Sequence, residues 1–205
     1  LKLLLATHNE HKRRELARLL ERPGGARRWE LDALPESVTL PPEDGETFAE
    51  NALGKARAAA QATGRVSIAD DSGIAAAALG GAPGVRSARY AGERATDQQN
   101  LEKLLREVPA GSPLEYVCVI AYVDPRAGGE RVFEGRCGGR LAAHPRGEGG
   151  FGYDPAFLPD DGPAGEDGVP APTMAQLTDA QKDEISHRGR AARALLRWLD
   201  GDEPA

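Results

Sequence analysis

The chain has 205 residues, 28% of them charged and 40% hydrophobic, with a formal net charge of −6 at pH 7. That length buries a substantial core and suits a single domain over residues 1–205 better than two small ones. No apolar run approaches the roughly 18–20 residues that span a bilayer, and the acidic balance argues against a broad phosphate-neutralising face for nucleic acid, while leaving room for a local basic cluster around a small anion.

Residues 3–6 are a short apolar run suited to a buried strand. Thr7-His8-Asn9 breaks it, and Asn9 is a good N-cap for a helix over 10–21, with Leu16, Leu19 and Leu20 on one face and Pro23-Gly24-Gly25 as its stop. A weak strand at 29–31 precedes a Pro-rich acidic loop at 35–45. Thr47-Phe48-Ala49-Glu50 is a capping box, in which the Thr hydroxyl and the Glu carboxylate each satisfy an orphan backbone N–H. Its Ala-rich helix is expected to reach Thr63, with Gly64 as the stop.

A strand at 66–69 is expected to deliver the acidic turn Asp70-Asp71-Ser72-Gly73. The stretch 74–79 leaves helix and strand open. Thr96-Asp97-Gln98-Gln99 caps an amphipathic helix with Leu101, Leu104, Leu105 and Val108 inward. The clearest strand is 116–123, answered by 131–133 across a turn at 124–129, with Leu141 extending the sheet after a break at Gly138-Gly139. Residues 151–158 read as a loop and a short strand, and 159–172 as a surface loop. A last helical region starts at Thr178, is re-capped at Ser186, and ends in a frayed tail at 200–205. Helices and strands alternate early and a strand hairpin fills the middle, a pattern of α/β class with a mixed sheet, flanking helices and two lobes with a cleft between them.

Cys118 and Cys137 fall in strand-like runs and are expected to be buried free thiols. The opening run 1–7 is too short for a signal-peptide core, so cytoplasm is the expected compartment.

Five segments carry chemistry. The strand-to-helix turn Thr7-His8-Asn9-Glu10-His11-Lys12 offers helix N-terminal N–H groups and a lysine to an anion, although an ordinary capped helix with a solvated lysine fits as well. In Asp70-Asp71-Ser72, adjacent carboxylates carry a like-charge cost that a cation such as Mg²⁺ offsets; an exposed Asp-Ser-Gly turn is the equal alternative. Glu43, Asp44 and Glu46 are a solvated acidic loop or a further source of hard oxygen ligands, and Lys55 is a surface lysine or a cation aimed at phosphate. Glycines around Phe151, Gly152, Tyr153 and Asp154 let a ring stand free to stack on a base, or anchor a loop in the core. Lys182, Ser186, His187 and Arg188 supply donors in a helical region, where basic residues most often face solvent.

In order and spacing, Leu5-Ala6-Thr7-His8-Asn9 with Lys12, Thr47-Phe48-Ala49-Glu50-Asn51-Ala52 with Lys55, and Ala69-Asp70-Asp71-Ser72-Gly73 resemble the inosine triphosphate pyrophosphatase family. Leu79-Gly80-Gly81-Ala82-Pro83-Gly84-Val85 with Ser87-Ala88-Arg89-Tyr90, Gly150-Phe151-Gly152-Tyr153-Asp154-Pro155 and Ile185-Ser186-His187-Arg188-Gly189 extend the resemblance over nearly the whole chain. It implies an elongated α/β fold with a long mixed sheet, two lobes around a cleft and a homodimer. It also implies Mg²⁺-dependent hydrolysis of ITP, dITP and XTP to monophosphate and pyrophosphate; no nucleic-acid or membrane partner is expected, on the charge and hydropathy above. By the same resemblance Asp71 is the proton acceptor and a metal ligand, with Glu43 as the second metal carboxylate; Asp70, beside Asp71, is a further candidate metal ligand. Thr7, His8, Asn9, Glu10, His11 and Lys12 hold the triphosphate, with Ser72 and Lys55 on phosphate and Lys12 and Lys55 serving catalysis. Phe151, Gly152, Tyr153, Asp154, Lys182, His187 and Arg188 form the nucleoside pocket, in which a donor such as Arg188 facing O6 favours a 6-oxo purine. The alternatives are a related pyrophosphatase for pyrimidine or modified nucleotides and a non-catalytic nucleotide-binding module. His8, Gln176 and the long 159–172 loop depart from the family pattern.

Overall fold

The computed structural model describes residues 2–20, 29–165 and 169–201. Its elements are β1 (Lys2–Leu5), α1 (Glu10–Leu19), β2 (Glu30–Ala33), α2 (Phe48–Thr63), β3 (Ser67–Ala76), α3 (Asp97–Glu107), β4 (Pro113–Asp124), β5 (Gly129–Leu141), β6 (Phe157–Pro159), α4 (Asp179–Ile185) and α5 (His187–Asp200). The strands form one sheet in the order β2-β1-β3-β4-β5-β6. β1 pairs in parallel with β2 and β3, whereas β5 and β6 are antiparallel, so the sheet is mixed and the class is α/β. The expected stop at Pro23-Gly24-Gly25, part of the 159–172 loop and most of the C-terminal tail lie outside the described residues.

Two compact units divide the chain: Leu1–Asp71, Cys118–Gly135 and Arg188–Ala205 make unit 1, and Ser72–Val117 with Arg136–His187 make unit 2. In unit 1 the period-two geometry of strands sorts the core into two clusters. Leu3, Leu5, Ile68, Cys118 and Ile120 pack with Leu16 of α1 and Ala191, Ala192 and Leu195 of α5. Leu4, Ala6, Ala69, Val119 and Ala121 pack with Ala52, Ala56, Ala59 and Ala60 of α2. Both faces of these strands are covered, which is why they read as continuous apolar runs rather than as alternation. Unit 2 has its own core, in which Leu101, Leu104 and Val108 meet Ile74, Leu114, Tyr116, Leu141, Tyr153, Phe157 and Met174.

Local signals held at the helix starts. Asn9 accepts from the Lys12 N–H, and Thr47 and Glu50 cap α2 reciprocally, as Thr96 and Gln99 do for α3 and Thr178 and Gln181 for α4. Gly64 ends α2 at φ 66°, a left-handed position where a Cβ is costly. Gln176, one of the residues that depart from the family pattern, completes another capping box with Thr173. Both cysteines are buried free thiols.

Two readings are corrected and one left open is resolved. Asp70, Asp71, Ser72 and Gly73 are not a turn: β3 runs through them as a largely buried strand, beyond the residues Ser67 and Ile68 that pair with β1. The ambiguous stretch 74–79 is strand only to Ala76, followed by a 3-10 turn at Ala77–Leu79 that ends on Gly80 at φ 61°. There is no break at Gly138-Gly139. β5 is continuous to Leu141, and a Cβ on Gly139 would lie 2.4 Å from the Leu158 carbonyl oxygen and 2.6 Å from the Phe157 ring. That glycine is demanded by the approach of β6, not by a turn.

Candidate active site

Adjacent residues of a strand point to opposite faces, so the continuity of β3 separates the two aspartates. Asp70 follows Ile68 toward α1 and α5. It is completely buried, and its Oδ2 accepts from Arg188 Nε at 3.2 Å and Nη2 at 3.1 Å, with Lys12 Nζ at 3.4 Å. Arg188, itself 1% exposed, donates from Nη1 to Glu15 of α1 at 2.6 Å. Burial alone would push the Asp70 carboxyl up; the charges of Lys12, Arg188 and Lys55 outweigh it and hold it well below the usual carboxylate range. Oδ1 of Asp70 is buried with no hydrogen-bond partner among the described residues.

Asp71 follows Ala69 toward α2. Its Oδ2 accepts from Asn51 Nδ2 at 2.9 Å, and Asn51 Oδ1 in turn accepts the Gly45 N–H at 2.8 Å. Burial raises the Asp71 carboxyl above its ordinary value and Glu43 adds to the rise, against the opposing pull of Lys12, Lys55 and the Asn51 donor. Lys55, buried on α2, donates to the backbone oxygen of Asp70 at 2.6 Å and pairs with Glu43. Burial works to raise Glu43, yet Lys55 keeps it ionised below its usual range. Asp70 and Asp71 are thus shifted in opposite directions, the first down by its cations and the second up by burial.

The capped turn before α1 brings Lys12 to this cluster. Thr7 Oγ1 accepts the Asn9 N–H at 3.1 Å, and the first turn of a helix carries N–H groups without intrahelical acceptors, a ready anion site. His8 and His11 are exposed, and Glu10 spends its carboxylate on Arg13 and Arg14. Ser72 is half-buried and belongs to unit 2.

In unit 2, Asp154 gathers the residues expected around a nucleoside. It is buried; Oδ2 accepts from Lys182 Nζ at 2.7 Å and the Phe151 N–H at 3.0 Å, and Oδ1 from the Tyr116 hydroxyl at 3.0 Å. The Phe151 ring is half-buried, with Lys182 Nζ 5.3 Å from its centroid. The Gly152 N–H donates to Asp97 of α3, and the Tyr153 hydroxyl to the Ser87 carbonyl. His187 is buried against Tyr116. Arg188, grouped with these residues in the sequence reading, is held in the Asp70–Glu15 cluster of unit 1.

Three partners were not singled out from sequence for these contacts. Asn51 stood inside the capping motif without a role, Glu15 lies three residues after Lys12, and Tyr116 read only as the start of a strand. Only the first two have a local signal: a side chain one turn from a lysine or a cap.

The Ham1 family profile matches residues 3–198. The chain is a member of the Ham1 family. It is 46% identical to the dITP/XTP pyrophosphatase of Photorhabdus laumondii, over 97% of this chain and 98% of that one, and 47% identical to that of Mycolicibacterium paratuberculosis, over 97% and 95%. Among solved structures it resembles a HAM1 protein from Coxiella burnetii, with a TM-score of 0.81 and 37% identity covering 98% and 99% of the two chains. The Ham1 protein of Staphylococcus aureus is similar at a TM-score of 0.80 and 36% identity, covering 99% and 100%.

Proposed function

We propose that this Ham1 protein hydrolyses the non-standard purine nucleoside triphosphates dITP, ITP and XTP to the monophosphate and pyrophosphate. The relatives named for dITP and XTP support the substrate class. The observation that carries the chemistry is the placement of Asp71: it is buried and bonded by Asn51, whose other amide atom holds the Gly45 N–H, while Lys55 bonds both the neighbouring Asp70 carbonyl and Glu43.

In this reading Asp71 takes a proton from a water whose oxygen attacks the α-phosphorus; the bond to the bridging oxygen breaks and pyrophosphate leaves. Lys12 and Lys55 balance the charge that grows on the phosphates, and the N-terminal turn of α1 orients them through backbone N–H groups. Asp70 holds Lys12 and Arg188 in place. Phe151 stacks on the base while Lys182, Asp154 and His187 address its edge, with Arg188 as the O6 donor.

Mg²⁺ belongs to the same proposal. Among the described residues no three His, Cys, Asp or Glu side chains form a ready cage. Mg²⁺ does not require one, since it normally takes one or two carboxylates, several waters and substrate phosphates. Glu43 and Asp71 are hard-oxygen donors whose mutual repulsion a cation relieves; Asp70, the third carboxylate expected there, lies on the other face of β3 with its charge met by Arg188 and Lys12. Bound there, the ion would supply Lewis-acid neutralisation of phosphate charge. A homodimer acting on the cytoplasmic nucleotide pool completes the reading; light scattering on the purified chain tests the dimer. No helix among the described residues is long and apolar enough to cross a membrane.

Pyrophosphate release with Mg²⁺ tests the whole, using dITP, ITP and XTP against ATP, GTP and dUTP, with Asp71→Asn beside the wild type. The variant is expected to lose about 10²–10⁴ in kcat, the usual worth of a positioned base. Faster turnover of dUTP than of any purine would transfer the protein to pyrimidine substrates, and turnover of none would leave a binding module.

A further inference from the structure

Tyr116 is buried on β4, and its ring and its hydroxyl serve different neighbours within unit 2. The ring stacks on the His187 imidazole with centroids 4.5 Å apart and planes 5° apart. On another side it meets Phe157 at 43°, so the phenol itself is wedged in the core. Its hydroxyl donates to Asp154 Oδ1, the carboxylate whose other oxygen takes Lys182 Nζ and the Phe151 N–H. There is no slack on that second oxygen: a Cβ at Gly150 would lie 2.1 Å from Asp154 Oδ2 and 3.1 Å from Lys182 Nζ.

We propose that Tyr116 is a positioning residue for base recognition: its ring sets the plane of His187, and its hydroxyl, through Asp154, sets Lys182 and the Phe151 loop. The inference rests on the assignment of those four residues to the nucleoside. A flat ring against the imidazole restricts rotation of the histidine. A hydroxyl on Oδ1 turns the Asp154 carboxylate so that Oδ2 faces Lys182 and the loop. Three groups that address one base are thereby ordered before it arrives, and ordering done in advance lowers the entropy lost on binding. Removing Tyr116 therefore weakens binding while leaving the phosphate chemistry of unit 1 as it was. The readout is KM rather than kcat.

Tyr116→Phe keeps the stack and removes the hydroxyl; Tyr116→Leu removes both. With dITP and XTP, Tyr116→Phe is expected to raise KM about threefold and Tyr116→Leu about tenfold or more, each with kcat within about twofold of wild type. Proton NMR of the histidine rings, with His187 assigned through His187→Gln, supplies a readout independent of substrate. The His187 ring protons are expected upfield in wild type and Tyr116→Phe and to move downfield in Tyr116→Leu. Wild-type KM values in a folded Tyr116→Leu, a loss confined to kcat, or unmoved His187 signals would overturn the proposal. Should Tyr116→Leu not fold, Tyr116→Phe decides, and an unchanged KM overturns it. A wild type that releases no pyrophosphate from any purine triphosphate defeats the functional reading itself, a result distinct from an active wild type indifferent to Tyr116.

Discussion

Asp70 and Asp71 have identical side chains one residue apart, and what separates them is the company each face of β3 keeps. Asp70 pairs with Arg188 and Lys12 and also feels Lys55, which together outweigh its burial; Asp71 feels Lys12 and Lys55 too, but lacks the arginine, and burial with Glu43 outweighs them. Asn51 is the residue that joins Asp71 to the acidic loop, since its two amide atoms bond the carboxylate and the Gly45 N–H. Asn51→Ala frees both at once, and a hydrogen bond to a charged group is worth about 1.5–3 kcal/mol. The expected result is a fall of about tenfold or more in kcat for ITP, together with a higher Mg²⁺ requirement; an unchanged Mg²⁺ titration would show that Asn51 does not order the Glu43 loop. Arg188→Ala calls for a different measure, because removing a cation from between Asp70 and Glu15 costs stability as well as any base contact. The ratio of ITP to ATP turnover is insensitive to the folded fraction. It is expected to fall about tenfold, and an unaltered ratio would remove Arg188 from base recognition.

At the scale of elements, the capping boxes of α2, α3 and α4 were legible because their donors and acceptors lie within three residues of one another. The course of β5 was not legible, because the reason for Gly139 lies in β6, about twenty residues on. Gly139→Ala puts a methyl group into the Leu158 carbonyl and the Phe157 ring. Overpacking of this kind costs about 1–3 kcal/mol, read as a lower urea midpoint with an unchanged slope. A wild-type midpoint would mean that β6 moves aside freely. The same logic explains the aspartate turn that became strand: Asp and Gly disfavour strands locally, and the sheet and core in which β3 is buried override that preference.

Across the whole molecule, the Asp70 cluster ties together parts of the sequence that are far apart. Arg188 lies 118 residues from Asp70 and 173 from Glu15, yet all three meet in unit 1. The folded Asp70 carboxyl is held below its ordinary value of 3.8, so its contribution to stability is fully present above that value and is lost as pH falls below it toward the folded one. Wild-type melting temperature is therefore expected to drop as acid is added below about pH 4. Asp70→Asn should be less stable at neutral pH by about 3–5 kcal/mol, since it leaves Arg188 and Lys12 without their shared anion, but should show a shallower decline in acid. Parallel acid profiles for the two proteins would show that Asp70 is not the linked group.

What the sequence determined by itself was whatever depends on neighbours along the chain: the helix starts, the apolar strands, the class of fold, and the motifs whose order matches one family. The candidate residues could be named for that reason. Their division of labour could not. Which aspartate is locked and which is raised, that Arg188 joins Asp70 and Glu15 rather than the Lys182 group, and that Tyr116 stands behind His187 were decided only by the tertiary structure. Burial and charge act through space, and the groups that set them arrive from elements up to 173 residues away.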